Sequence, residues 1–265
     1  MLSTGRVRVL ASRLVVLAAA LGLWQVLSAT GVLRSDEFPS MTSTMHALWD
    51  QLTTAQLWSA VRDTVASWAI GLLIGGGSAI IVGSLIGLNR FAYQSVIPVI
   101  EFFKAMPAVA ILPIVVGTLG ATLQGKYVLV AFGVFWPLVI QVIYGVRSID
   151  PTVRDTATVL QVRGPRRFFV VTLPSAAPFI ATGLRVSAAV GLILSIVFEL
   201  IGGGSGVGVN ILNSENSGPP AYPLMYAYIF VAGVLGIVLA GIFALGERWV
   251  LHWHESRRNV RGAGR

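Results

Sequence analysis

Six stretches of this chain are almost unbroken in apolar residues: 14–33, 66–88, 96–119, 127–146, 178–201 and 224–245. A helix rising 1.5 Å per residue needs about 20 residues to cross roughly 30 Å of hydrocarbon. The pattern therefore predicts an all-α membrane protein, one bundle of about six spans over residues 1–265. The third stretch carries Pro98, Pro107 and Pro113, and each proline removes a helix hydrogen bond. In the second, Gly71-x3-Gly75 and Gly83-x3-Gly87 put glycines on one helix face, which predicts a close helix contact within the subunit or with a second copy. Between the first two spans, Pro39-Ser40 precedes Met41, Met45, Leu48, Trp49 and Leu52 at helical spacing. That pattern predicts a short helix at the outer interface, although an ordinary polar loop helix would look the same.

The first span begins like a signal peptide, with Arg6, Arg8 and Arg13 ahead of an apolar run. The run continues past Ser28-Ala29-Thr30 to Leu33 without a small-x-small cleavage pattern, so a retained span is expected.

Composition supports lipid as the solvent. The chain is 55% hydrophobic and 11% charged, against about 25% charged residues in a soluble domain. Its net charge of +8 would suggest nucleic acid on a soluble protein. Here the basic residues lie between the apolar runs, where membrane orientation explains them and no nucleic-acid partner is expected. With the N-terminus inside, Arg6, Arg8, Arg13, Arg90, Arg147, Arg154, Arg163, Arg166, Arg167, Arg248 and the arginines of the tail face the cytoplasm. Only Arg34, Arg62 and Lys126 then face outward. The expected cytoplasmic parts are 1–13, the loop 148–174 and the basic tail 249–265.

The candidate chemistry is sparse. There is no cysteine, hence no disulfide or thiolate metal site. His252 and His254 form an H-W-H pair in the tail, read as a tail at the membrane surface. The segment 120–127 nearly spells a phosphate loop, G-x4-G-K followed by Ser or Thr, but Tyr127 stands where the magnesium-binding hydroxyl belongs. It lies between two spans, on the outer side. At membrane depth the ionisable groups are Glu101, Lys104, Arg185 and Glu199. Such groups are costly there and pair or line a cavity. Glu101 and Lys104 are spaced to pair on one helix. Lys104, Arg185 and Glu199 are candidates for a pathway or gate. Arg185 also fits a cytoplasmic span end, reaching headgroups, and Glu199 a docking contact.

The loop 148–172 is long and basic. Asp150-Pro151 is a helix start, with Asp as N-cap and Pro in the first turn. A helix is expected to about residue 160, a break at Gly164-Pro165, and a second helix over 166–171 ending at Leu173-Pro174. On these residues alone, a docking element and a plain charged connection read equally well.

This loop resembles the cytoplasmic loop of ABC importer permeases, E-A-A-x3-G-x9-I-x-L-P. Asp155-Thr156-Ala157 stands at E-A-A and Val171-Thr172-Leu173-Pro174 at I-x-L-P, with the spacing intact. Gln161 occupies the glycine position, and Gly164 is expected to supply the turn instead. Phe38-Pro39-Ser40, Lys104-Ala105-Met106-Pro107, Gly183-Leu184-Arg185, and Glu199 followed by Gly206-Val207-Gly208 narrow the resemblance to the nitrate/sulfonate/taurine group. The resemblance implies a type I permease-like bundle in the bacterial inner membrane, both termini cytoplasmic, working as a homodimer. It implies two ATPase subunits carrying ATP and Mg, an extracytoplasmic solute-binding protein, and no catalytic residue or cofactor on this chain. Asp150, Arg154, Asp155, Thr156, Ala157, Gln161, Gly164, Leu173 and Pro174 would form the ATPase-coupling loop. The solute it implies is a sulfonate- or nitrate-like anion, alternatively an aromatic or pyrimidine compound. A gradient-driven secondary transporter would show paired broken spans in two halves, and a membrane enzyme a cluster of His, Asp or Glu within spans. Neither pattern is present in the sequence.

Overall fold

The computed structural model describes residues 4–34 and 37–250. His252, His254 and the tail beyond residue 250 lie outside the described residues. Among those described there is no strand. Helix α1 (Thr4–Ala29) is followed by the short α2 (Met41–Leu52) and the long α3 (Ala55–Leu88). Then come α4 (Arg90–Ala105), α5 (Leu112–Leu119) and α6 (Leu123–Arg147). A short α7 (Pro151–Val159) and α8 (Gly164–Arg167) precede α9 (Leu173–Gly202), α10 (Val207–Asn216) and α11 (Tyr222–Val250). Among the described residues, five helices are long and apolar enough to cross a bilayer, or six if the bent pair α4–α5 counts as one span.

The short helix expected after the first span is α2. Ser40 caps it, its Oγ accepting the Ser43 N–H at 3.1 Å, which satisfies one of the free donors of a first turn. It is tied to α1, where Trp24 Nε1 donates to the Pro39 carbonyl at 3.1 Å.

The third apolar stretch is not one straight span. Its two arms, Arg90–Ala105 and Ala108–Leu119, meet at an 86° bend. Pro107 forces this: Met106 before it is extended (φ −73°, ψ 129°), as a residue preceding proline prefers. Pro98 lies inside α4 without ending it, while Pro113 sits in the first turn of α5, where no N–H is needed.

Helix α6 is the axis of the bundle, with α3 and α9 packed along it. Leu129, Val130, Val134, Leu138, Val139, Val142 and Ile143 are fully buried. Gly71, Gly75, Gly83 and Gly87 of α3 face α6. A Cβ at Gly83 would lie 2.8 Å from Val142 Cβ, and one at Gly75 2.8 Å from Ala131 Cα. On the other flank, a Cβ at Gly183 would lie 2.7 Å from Leu138 Cδ1 and one at Gly191 2.9 Å from Val134 Cγ2. Backbones this close interlock, so the three helices move together where they touch. The outward faces carry Leu73, Ile81, Leu85, Ile237 and Leu245, the apolar surface a protein presents to lipid.

Candidate functional site

The elbow between α6 and α9 starts as its residues predict. The Asp150 carboxylate accepts the Thr152 N–H at 2.7 Å, and that bond holds its pKa below the ordinary carboxylate value. Pro151 takes the first helical position. Thr156 folds its hydroxyl onto the Thr152 carbonyl at 2.8 Å, and Ala157 is buried. Arg154 and Asp155 are exposed. Three apolar side chains also point outward: Val153, Val159 and Leu160 are 45%, 81% and 68% exposed. An amphipathic tip with its apolar side uncovered is the shape of a helix that docks.

The turn after α7 is made at Gln161, not only at Gly164. Gln161 has φ +53° and Gly164 φ +58°. The Gln161 N–H donates to the Thr158 carbonyl at 3.0 Å and the Val162 N–H to the Ala157 carbonyl at 2.9 Å. These two bonds form a Schellman cap, whose left-handed residue is usually glycine. The hydrogen bonds of the turn survive the substitution, and Gln161 carries the steric cost of left-handed backbone.

The second loop helix does not end at Leu173-Pro174. Instead α8 runs through a π turn, Phe168–Thr172, straight into α9. Pro174 has no N–H to give to the carbonyl four residues back. The π register absorbs this: the Leu173 N–H reaches the Phe168 carbonyl five residues back, and Pro174 sits in the opening turn of α9. The elbow is therefore one rigid extension of α9, returning through Gln161 and α7 to α6.

A second constellation lies at the opposite end of the bundle. Glu199, on α9, is fully buried, and Lys126, in the first turn of α6, is 2% exposed. Lys126 Nζ donates to Glu199 Oε1 and to the Ser205 carbonyl at 3.3 Å. Thr64 of α3 donates its hydroxyl to Glu199, with Oε1 at 2.8 Å, and accepts the Val207 N–H at 2.9 Å. The Gly208 N–H donates to Glu199 Oε2 at 2.7 Å. Gly206, at φ +139°, and Gly208 let the chain fold this tightly. A Cβ at Gly208 would lie 2.6 Å from the Ile196 carbonyl oxygen. One carboxylate thus ties α3, α6, α9 and α10 together.

This placement corrects the reading of Lys126 as an outward-facing loop cation. The apolar helix that follows it pulls its stem inward, and Glu199 supplies the countercharge that makes burial tolerable. Thr64 was not expected from the sequence. The one signal that could have found the pair is that Glu199 has no cation within a turn on its own helix, while Lys126 stands just ahead of an apolar run. Lys104 pairs locally with Glu101, Nζ to Oε2 2.7 Å, and Arg185 with Glu247 of α11 at 3.5 Å. Arg185 lies about 21 Å along α9 from Glu199, so Lys104, Arg185 and Glu199 do not meet in one site.

Across residues 79–252 the sequence matches the family described as binding-protein-dependent transport system inner membrane component. The chain belongs to that family. The match covers more than half of the chain and includes the elbow, Lys126 and Glu199. SsuC of Bacillus subtilis, named for aliphatic sulfonates transport as a permease, is 26% identical over 239 residues, 90% of this chain and 86% of that one. The nitrate import permease NrtB of Synechocystis is 25% identical over 246 residues, covering 89% and 88%. A chain of the MetNI methionine ABC transporter in an inward-facing form superposes with TM-score 0.63 at 18% identity, over 74% of this chain and 96% of that one; this shows a shared fold. The protein is a multi-pass membrane permease of an ABC importer.

Proposed function

We propose that this permease works as a homodimer in the bacterial inner membrane, driven by two separate ATPase subunits that bind ATP and Mg, and that it takes up a small sulfonate- or nitrate-like anion. An extracytoplasmic binding protein delivers the solute. The elbow 148–174 faces the cytoplasm with the segments 1–13 and 249–265, as the distribution of arginine favours. Asp150 starts the docking helix, Arg154, Asp155 and Thr156 line its polar side, and Ala157 anchors it. Gln161 and Gly164 turn the chain, and Leu173 and Pro174 join it to α9. The observation that carries this reading is the exposed tip Val159–Leu160 on an elbow continuous with α9. When the ATPase pair closes, the tip moves, and α9 transmits that movement to α6 and α3. Coupling of this kind requires two global states with different contacts. The anion reading is supported by relatives named for sulfonates and nitrate.

The test is the reconstituted complex. Binding protein loaded with an alkanesulfonate or nitrate should stimulate ATP hydrolysis, and Asp155→Arg should abolish the stimulation while the permease still inserts. Stimulation only by an aromatic or pyrimidine solute would remove the anion reading. Unchanged coupling in Asp155→Arg would remove the elbow from the mechanism.

A further inference from the structure

Where α3 stops and α4 begins, a cleft of about 570 Å³ opens between the end of α6, α7 and the π turn. Four arginines line it: Arg90, Arg147, Arg154 and Arg167. None of the four forms an ion pair among the described residues, and no acidic side chain lines the cleft. The two loop carboxylates are not among its walls: Asp150 is spent on the Thr152 N–H, and Asp155 is exposed on α7. Arg147 lies over the Tyr93 ring at 4.0 Å, a cation–π contact that holds the guanidinium at the cleft. Arg167 donates to the Arg154 carbonyl at 3.5 Å, keeping elbow and cleft in register.

Four like charges around one cleft repel unless an anion sits between them. Guanidinium forks match the oxygens of a phosphate, each offering two parallel donors. The surroundings distinguish a lipid from a free ion. Leu88 in the wall is 58% exposed, and its neighbour beyond Arg90, Phe91, is 79% exposed. Phe169 and Val170, next to the lining residue Phe168, are 64% and 61% exposed. A charged cleft at the end of membrane helices, rimmed by uncovered apolar side chains, matches a molecule with a phosphate at one end and hydrocarbon at the other. We propose that this cleft holds the headgroup of an anionic phospholipid, with its acyl chains against Leu88 and Phe91. The lipid would brace the elbow against α3 and α6, so lipid composition would tune the docking element.

The experiment is thermal unfolding and native mass spectrometry of the full-length protein in neutral detergent. Phosphatidylglycerol, phosphatidylcholine and inorganic phosphate are titrated separately. Phosphatidylglycerol should stabilise the wild type and remain bound, with phosphatidylcholine and inorganic phosphate at least tenfold weaker. The Arg90→Gln/Arg147→Gln variant should lose that preference about tenfold, and Arg248→Gln, outside the cleft, should keep it. If the double glutamine variant does not fold, Arg90→Lys/Arg147→Lys, which keeps the charge and loses the fork, should weaken binding several-fold. Equal protection by inorganic phosphate overturns the lipid assignment. Undiminished phosphatidylglycerol preference in the variants overturns the cleft as its site. Complete displacement of the lipid by the ATPase partner also overturns the proposal, because the cleft would then be protein-facing.

Discussion

Lys126→Met tests the buried ion pair most sharply. Glu199 accepts from three groups: the Lys126 ammonium, the Thr64 hydroxyl and the Gly208 N–H. The substitution keeps the apolar stem and removes the charge, leaving a fully buried carboxylate with two neutral donors. Removing one partner of a buried pair costs about 3–5 kcal/mol. The two remaining bonds to a charged acceptor each retain about 1.5–3 kcal/mol, so the expected loss lies at the lower end, about 3 kcal/mol. That is roughly two decades in the unfolding constant. The assay is reversible unfolding of the purified chain in mixed micelles, completed as a cycle with Glu199→Gln and the double variant. The double variant should recover about 2 kcal/mol relative to the sum of the singles, as expected for groups in direct contact. A cost below about 1 kcal/mol for Lys126→Met, or simple additivity, would refute the claim that this pair fastens the four helices.

Other consequences follow from the same packing. Thr64→Val removes one bond to Glu199 and orphans the buried Val207 N–H, and should cost about 2 kcal/mol in the same assay. Gly83→Leu drives a side chain into Val142 and the Val139 carbonyl and should cost about 3 kcal/mol or prevent stable insertion; Gly77→Ala, facing open space, should be neutral, both read from folded yield and unfolding midpoint. Gln161→Gly should steady the turn by about 1 kcal/mol, seen as slower hydrogen exchange in α7. Gln161→Val, β-branched at positive φ, should speed that exchange and reduce coupled ATPase activity.

Much of the fold was legible because hydrophobic length is a strong signal and lipid leaves few alternatives to a helix. The start of α7 was equally plain, since Asp150-Pro151 states a cap and a first turn in two residues. The three prolines of the third stretch marked an interruption, but hydropathy counts apolar residues without regard to direction, so it could not say that Pro107 alone turns the chain through the bend. Pro174 misled in the opposite sense: a proline reads as a stop, yet a π turn before it lets the helix pass. The departure at Gln161 was visible, but whether the turn moved to Gly164 depended on backbone angles no composition encodes. Lys126 was hidden because a lysine between two spans reads as a solvated loop residue, and its burial depends on a carboxylate 73 residues away.

The central claim is that the elbow faces the cytoplasm and is held by an ATPase. The chain has no cysteine, so Val159→Cys places a single thiol on the exposed tip. Labelling with a membrane-impermeant maleimide should occur in inside-out vesicles, fail in intact cells, and be blocked when the ATPase subunits are bound. Labelling from outside intact cells, or labelling indifferent to the ATPase, would contradict the account.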